Sequence, residues 1–191
     1  MIIRKAETDD LESICTIHHV AFDKNHFSTL LPDNLLMKFY SYLFSNNKYN
    51  YIALDNKNEI LGFIVAGHKT GLAIDLFIRE NFYSLLFLLL KNPGFLIQKM
   101  KYVFKKIFHR EQFASMAGLR LLSIAVKKDS EHHGIGTELI NHFEKDLIGN
   151  GESIYGLSVK KHNQNAIRFY LKNNFEIEKE EKDAIYFIKK L

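Results

Sequence analysis

Ala125-Val126-Lys127-Lys128-Asp129-Ser130-Glu131-His132-His133-Gly134-Ile135-Gly136-Thr137 is the stretch that decides the architecture of this 191-residue chain. Before it, the hydrophobic run from Leu119 to Val126 reads as a strand. After it, Ile135, Leu139, Ile140, Phe143 and Leu147 recur at the spacing of one helical face. Strand, glycine turn and helix together form a holder for an anionic group. Glycine lets the backbone approach a ligand closely and adopt positive φ, and the first N–H groups of a helix have no intrahelical acceptor, so they point outward as donors. Two familiar phosphate loops are excluded by spacing: there is no Gly-x-x-x-x-Gly-Lys-Ser/Thr, and no third glycine for a dinucleotide fingerprint. An ordinary strand-to-helix connection has the same appearance, so the turn alone leaves both readings open.

The next stretch, Leu157-Ser158-Val159 through Phe175, reads as a second strand followed by a helix capped at His162-Asn163. Asn is a strong N-cap because its side-chain oxygen accepts from an orphan amide. Asn174 ends that helix in a slot where a left-handed conformation is usual and Asn is tolerated.

Taken together, the two stretches resemble the GNAT superfamily of acyl-CoA-dependent N-acyltransferases. Its cofactor signature is Gln/Arg-x-x-Gly-x-Gly/Ala, against Glu131-His132-His133-Gly134-Ile135-Gly136 here. In its second signature, Leu157, Val159, Asn163, Ala166, Phe169, Tyr170 and Phe175 fall in register. The amino-terminal stretch, Ile2 to Ala6 as a strand and Asp9-Asp10-Leu11 opening a helix, is similar to the family's start. The resemblance covers about residues 1–70 and 118–191. Three positions depart from it: Glu131 replaces the usual Gln or Arg and adds negative charge beside an expected pyrophosphate, Lys128 replaces a frequent proline and can offset Glu131, and Asn174 replaces the usual glycine.

The resemblance implies an α+β, three-layer fold: a twisted, mixed but mostly antiparallel sheet with helices on both faces. It implies acetyl transfer from acetyl-CoA to an amine by direct attack in a ternary complex. Under it, the backbone from Glu131 through His132, His133, Gly134, Ile135 and Gly136 to Thr137 holds the pyrophosphate. The edge of Ile124, Ala125 and Val126 pairs with the pantetheine arm as one strand with another, and Asn163 and Ala166 line the far side of the gap. A backbone amide near Ile124 is the oxyanion donor and Tyr170 the proton donor to the leaving thiolate. The competing role for Tyr170 is a packing tyrosine. The base is unassigned. Ser123 lies on the critical strand but is a poor base alone, Glu131 and His132 belong beside the phosphates, and Phe22, Asp23, His26 and His68 sit in regions able to face the acceptor; a water chain is the remaining alternative. The acceptor amine is expected to be a small molecule rather than a protein. The competing classes are a CoA-binding sensor or assembly module without transferase activity and a membrane-peripheral interaction module in which the fold is only a scaffold.

Composition bounds the remainder. The length suits one sizeable core, here taken as a single N-acetyltransferase domain over residues 1–191, and 47% hydrophobic residues favour a globular fold over disorder. The single cysteine, Cys15, excludes an intramolecular disulfide and reads as a small buried hydrophobe. Arg4, Glu7, Asp9 and Asp10 interrupt any signal-peptide pattern, and a cytoplasmic location is expected. His18-His19 and His132-His133 are adjacent pairs, whereas a helical metal site uses i, i+3 or i, i+4 spacing, so no metal is expected.

Along the chain, strand one is expected at about 1–6 and helix one at about 8–21, with Leu11, Ile14, Cys15 and His18 or Phe22 on one face and an Asp9–Glu12 capping box. A helix follows Pro32, and strands at about 49–54 and 59–69 flank the turn Asp55-Asn56-Lys57-Asn58, with Gly62 marking a bulge or close packing. About 48 residues then intervene before the next strand, at about 70–117, too many for a structureless loop. They read as a helical hairpin broken at Asn92-Pro93-Gly94, with helices at about 75–91 and 95–110. Lys91 to Arg110 carries six basic residues and no acid, in a chain of net charge +4, so the remainder is −2 and the basic character belongs to this insertion. Three readings of residues 75–110 stand open: a hairpin packed over the sheet edge and acceptor cleft, a homodimer surface, and a weak peripheral contact with anionic lipid. The uncharged run Asn81 to Leu90 is far short of the roughly 20 residues a membrane span needs, and no nucleic-acid motif accompanies the basic stretch.

Overall fold

Residues 1–22, 26–95, 97, 115–130 and 133–191 are described by the computed structural model of this protein. Seven strands form one sheet in the order β1-β2-β3-β4-β5-β7-β6. The strands are β1 Ile2–Lys5, β2 Tyr49–Leu54, β3 Ile60–Gly67, β4 Arg120–Val126, β5 Ile154–Lys160, β6 Glu176–Glu180 and β7 Ala184–Lys190. Every neighbouring pair is antiparallel except β4–β5. The helices are α1 Leu11–Ala21, α2 Asp33–Asn46, α3 Thr70–Glu80, α4 Phe82–Lys91, α5 Ile135–Gly149 and α6 Gln164–Lys172. The α+β architecture with helices on both faces, expected from the sequence, is the one observed.

Each face of the sheet has its own core, because strand side chains alternate. Tyr49, Tyr51 and Ala53 of β2, with Ile64 and Ala66 of β3, pack against Ile135, Leu139, Ile140, Phe143 and Leu147 of α5, the five positions whose spacing announced that helix. Ile52 and Leu54, with Phe63 and Val65, pack on the other face against Leu11, Ile14, Cys15 and Ile17 of α1 and Leu35, Leu36, Tyr40 and Leu43 of α2. Cys15 is buried as expected, and burial, then Asp33, pushes its thiol up to about 12.

Several local expectations are corrected. Residues 8–10 form a 3₁₀ turn, so α1 starts at Leu11. The expected Asp9–Glu12 capping box does not form: the N-cap position of α1 is Asp10, whose carboxylate serves the 3₁₀ turn instead, accepting from the Glu7 N–H (2.7 Å) and from both arms of Arg4 (2.8 Å each). Strand β3 ends at Gly67, not residue 69, because Asn47 occupies the space beside it. A Cβ at Gly67 would lie 2.2 Å from Asn47 Oδ1, the same oxygen that accepts the Lys69 N–H (3.0 Å). Gly62 serves close packing, with the Ala125 carbonyl 2.7 Å from where its Cβ would stand, while the adjacent irregularity falls between Ala53 and Leu54.

The expected helix at 75–91 is two helices. The first begins directly after β3, at Thr70. It stops at Asn81, whose backbone N–H (3.0 Å) and side-chain amide (2.9 Å) both donate to the Phe77 carbonyl, a local competition that breaks helices. Helix α3 packs through Ala73 and Phe77 into the α1–α2 core, Phe77 meeting Phe39 edge-on at 5.4 Å. In α4 only Leu85 is buried, and Phe82, Tyr83, Phe87 and Leu90 form an exposed stripe. The second helix of the hairpin, expected at 95–110 with five of the six basic residues, lies outside the described residues apart from Phe95 and Ile97. Among the described residues, no helix is long and apolar enough to cross a membrane.

Candidate active site

Among the described residues, strands β4 and β5 are the one parallel pair, and they share a single paired position, Arg120 with Gly156. Beyond it the two strands run on without pairing. The cause is visible in β4's other partner. Val65 pairs with Ser123 but the next residue, Ala66, pairs with Leu121, so Leu122 is an extra residue, a β-bulge. Bulges bend a strand and raise its twist, which turns the outer half of β4 away from β5. At the closed end, Ser115 Oγ donates to Glu178 Oε2 (2.8 Å), the Met116 N–H donates to Glu178 Oε1 (2.6 Å), and Arg120 donates to Ser115 Oγ (3.0 Å). These bonds tie the approach to β4 onto β6 and pin the apex of a wedge.

The wedge has a polar inner edge. Lys127 N–H donates to the Leu61 carbonyl at 2.7 Å. Antiparallel alternation therefore turns the backbone of Ala125 and Ser123 toward β3, and that of Val126 and Ile124 toward the gap. Ile124 and Val126 also present side chains to the α5 face, whereas Ala125 packs toward α1 and α2.

At the mouth of the wedge stands the glycine turn. Gly134 is left-handed (φ +79°), a conformation that glycine adopts without the Cβ penalty. The first intrahelical bond is Glu138 N–H to the Gly134 carbonyl (3.0 Å), so the N–H groups of Ile135, Gly136 and Thr137 face the helix end without intrahelical acceptors. Gly136 sits closely against α6: a Cβ there would lie 3.1 Å from Phe169 Cζ, a tight approach, and 3.8 Å from Val126 Cγ2, an ordinary contact. The turn, the end of β4 and α6 thus meet at one place. His133 is exposed beside the turn. Glu131 and His132 lie outside the described residues.

Helix α6 borders the other side. Its N-cap is Asn163, whose Oδ1 accepts the Ala166 N–H (3.1 Å), and Asn174 closes it at φ +61°, both as the sequence suggested. The structure therefore gives Asn163 a capping task in addition to its expected place along the gap. Tyr170 is buried among Phe169, Phe175 and Phe187. Burial alone raises the pKa of its hydroxyl, so the proton stays on at neutral pH and can be donated.

The expected acceptor-side residues separate. Phe22 and His26 come together: Phe22 stacks flat on His18 (4.2 Å between centroids) and meets His26 edge-on at 5.7 Å. His68 lies apart, beside Gly118 at the entry to β4, with its Nε2 2.7 Å from Glu152 Oε1. Asp23 lies outside the described residues. Among the described residues, no cluster of three metal-ligating side chains occurs.

Sequence reasoning placed His18 on the apolar face of helix one but gave no polar role to it, Tyr40 or Ser28. Buried in the α1–α2 core, they form a polar string: His18 Nδ1 is 2.7 Å from the Tyr40 hydroxyl and His18 Nε2 is 2.9 Å from Ser28 Oγ. Burial, with smaller contributions from His26 and His19, pushes the His18 pKa down to about 3, so its ring is neutral. One signal was available, a histidine on the apolar face of α1, but its partners lie 10 and 22 residues away.

The profile of the acetyltransferase (GNAT) family matches residues 11–175. No curated protein sequence matches the chain. Solved structures with similar folds include the PaiA N-acetyltransferase of Thermoplasma acidophilum in complex with coenzyme A (17% identity, TM-score 0.63, covering 100% of this chain and 98% of that one). The ribosomal-protein-S18-alanine N-acetyltransferase of Escherichia coli is similar at 17% identity and TM-score 0.60, over 99% of this chain and 92% of its own. The polyamine N-acetyltransferase of Drosophila melanogaster, which catalyses the formation of N-acetylagmatine, is similar at 12% identity and TM-score 0.61, over 100% and 99%.

Proposed function

The chain belongs to the acetyltransferase (GNAT) family, and on that premise we propose that residues 1–191 act as one N-acetyltransferase domain, moving an acetyl group from acetyl-CoA to a primary amine while both are bound. The observation that carries this reading is the wedge: an open strand edge at Ile124 and Val126 leads to a helix N-terminus whose first amides are unspent. The two parts match the two chemistries of the donor. The amide-rich pantetheine arm pairs with a free strand edge, and the pyrophosphate suits the amides of Ile135, Gly136 and Thr137 and the positive end of the α5 dipole. The Ile124 N–H serves as oxyanion donor, and Tyr170, still protonated, serves the leaving thiolate.

The acceptor enters from the side of Phe22 and His26, where α1 gives way to α2. A small amine is favoured over a protein amine, and the reaction is assigned to the cytoplasm. The test is a thermal shift with acetyl-CoA, followed by thiol release from a panel that includes agmatine and an amino-terminal alanyl peptide. Acetyl-CoA at 100 times its Kd should stabilise the fold by about 2.7 kcal/mol. No shift at millimolar acetyl-CoA would remove the donor assignment. A shift without thiol release on any amine would favour the CoA-binding sensor.

A further inference from the structure

Helices α3 and α4 follow one another directly but differ in what they bury. Helix α3 sends Ala73 and Phe77 into the α1–α2 core. Helix α4 is apolar except for Ser84 and Lys91. At about 100° per residue its side chains divide into two apolar faces. The inner face carries Leu85, which is buried, and Leu88, which packs against the α1–α2 core, with Leu89 half-buried beside them. The outer face carries Phe82, Tyr83, Leu86, Phe87 and Leu90, within an arc of about 140° at that spacing. All five are exposed, Tyr83 at 84%, Leu90 at 61% and Phe87 at 60%. An exposed apolar side chain standing alone is ordinary. Five on one helix face form a contiguous patch, the mark of a surface that meets another molecule or a lipid phase.

Charge says which. The ammonium of Lys91 sits over the Phe87 ring, with Nζ 4.4 Å from its centroid, so a cation rims the apolar face at its end. No Asp or Glu occurs from Asn81 to Arg110, while Lys91, Lys99, Lys101, Lys105, Lys106 and Arg110 bring six positive charges. A second copy of this chain would bring the same cations to a two-fold contact, where they repel. An anionic lipid surface suits both features: the boundary of the acyl chains takes up aromatic and leucine side chains, and the headgroups attract the cations. We propose that the outer face of α4 is a docking surface for anionic phospholipid. The helix lies in the plane of the interface rather than across it. Its ten residues measure about 15 Å at 1.5 Å each, half of a hydrocarbon core of about 30 Å.

The test mixes the full chain with sedimentable vesicles of phosphatidylcholine alone or of phosphatidylcholine with phosphatidylserine. Each is run at about 0.01 M and about 0.15 M salt, between which the screening length falls from about 30 Å to about 8 Å. The chain should sediment with the phosphatidylserine vesicles at low salt, less at the higher salt, and about tenfold or more weakly with phosphatidylcholine alone. Tyr83→Ser and Phe87→Ser change exposed positions, so the melting temperature should hold while each lowers partitioning about tenfold. Replacing Lys99, Lys101, Lys105 and Lys106 by Gln should cost about fivefold for each charge removed. The chain has no tryptophan, so Phe87→Trp places a single reporter on the outer face of α4. Its emission should move to the blue with phosphatidylserine vesicles and stay unmoved with phosphatidylcholine.

No sedimentation at low salt would overturn the docking surface. So would sedimentation without a blue shift in Phe87→Trp, or binding indifferent to Tyr83→Ser and Phe87→Ser, since either result would leave α4 out of the contact. A lipid-free dimer that both serine variants dissociate would make this face a contact between copies and overturn the proposal as well. None of these outcomes depends on acetyl transfer, which the thermal shift with acetyl-CoA reads separately.

Discussion

The two faces of the sheet solve different problems. The α5–α6 face is an apolar, aromatic core with its acids placed at the periphery: Glu144 accepts from the Tyr155 hydroxyl (2.5 Å) and pairs with Lys189 (2.7 Å), and Asp146 accepts from Tyr51. The parts proposed to hold the donor are backbone groups, the Ile124 and Val126 edge and the first amides of α5. The α1–α2 face has the opposite character. Its backbone is spent in helices, and its distinctive groups are the side chains of His18, Tyr40 and Ser28, buried where a core would normally be apolar. A donor common to a whole family can be held by backbone, which any sequence supplies. An acceptor particular to one member has to be met by side chains.

That contrast can be broken first at Tyr170, the one side chain on the donor face assigned to chemistry. Tyr170→Phe should lower kcat by about 10²-fold or more while leaving acetyl-CoA affinity within a few-fold; loss of affinity with turnover retained would make Tyr170 a packing residue. Next is the pH dependence of stability, which should belong to the other face. His18 is held at about 3 in the fold against an ordinary value near 6.5. The unfolded chain therefore binds more protons between those values, and stability should fall as pH drops from about 6.5 toward 4. The slope is at most about 1.4 kcal/mol per pH unit for one group. Asp10 is held below the ordinary carboxylate range: burial works to raise its pKa, but the Arg4 fork and the Glu7 amide outweigh it, so its contribution is present above that range and lost as pH falls below it. Urea unfolding across pH 4–7 should show the slope in the parent and a flatter line in His18→Gln; equal slopes would separate the effect from His18. The smallest expected effect is at the cap of α6. Asn163→Ala should cost about 1 kcal/mol in the same unfolding measurement, and a loss of acetyl-CoA affinity beyond that would show that Asn163 does more than cap.

Much of the donor face was legible in the sequence. The five apolar positions of α5 are all buried, Gly134 and Asn174 both take positive φ, and Asn163 caps α6. The insertion was less legible. A stretch rich in Phe and Leu has helical character throughout, so its periodicity gave no sign that Asn81 would turn back on Phe77 and split it. Among the acceptor-side candidates, Phe22 and His26 share a site while His68 is tied to Glu152, a distinction that sequence distance could not make.

By itself, the sequence determined whatever depends on a few neighbouring residues: helical and strand periods, a glycine able to adopt positive φ, an asparagine able to cap. These follow from local sterics and local hydrogen bonds, so they survive reading in one dimension. Only the tertiary structure decided the wedge and the polar string. The wedge depends on Leu122 being skipped when β4 pairs with β3, a matter of register between strands far apart in the chain. The string requires α1, α2 and the turn between them to be packed before His18 can find Tyr40 and Ser28 within reach, because burial forces those groups to pair and only the packed layers determine with whom.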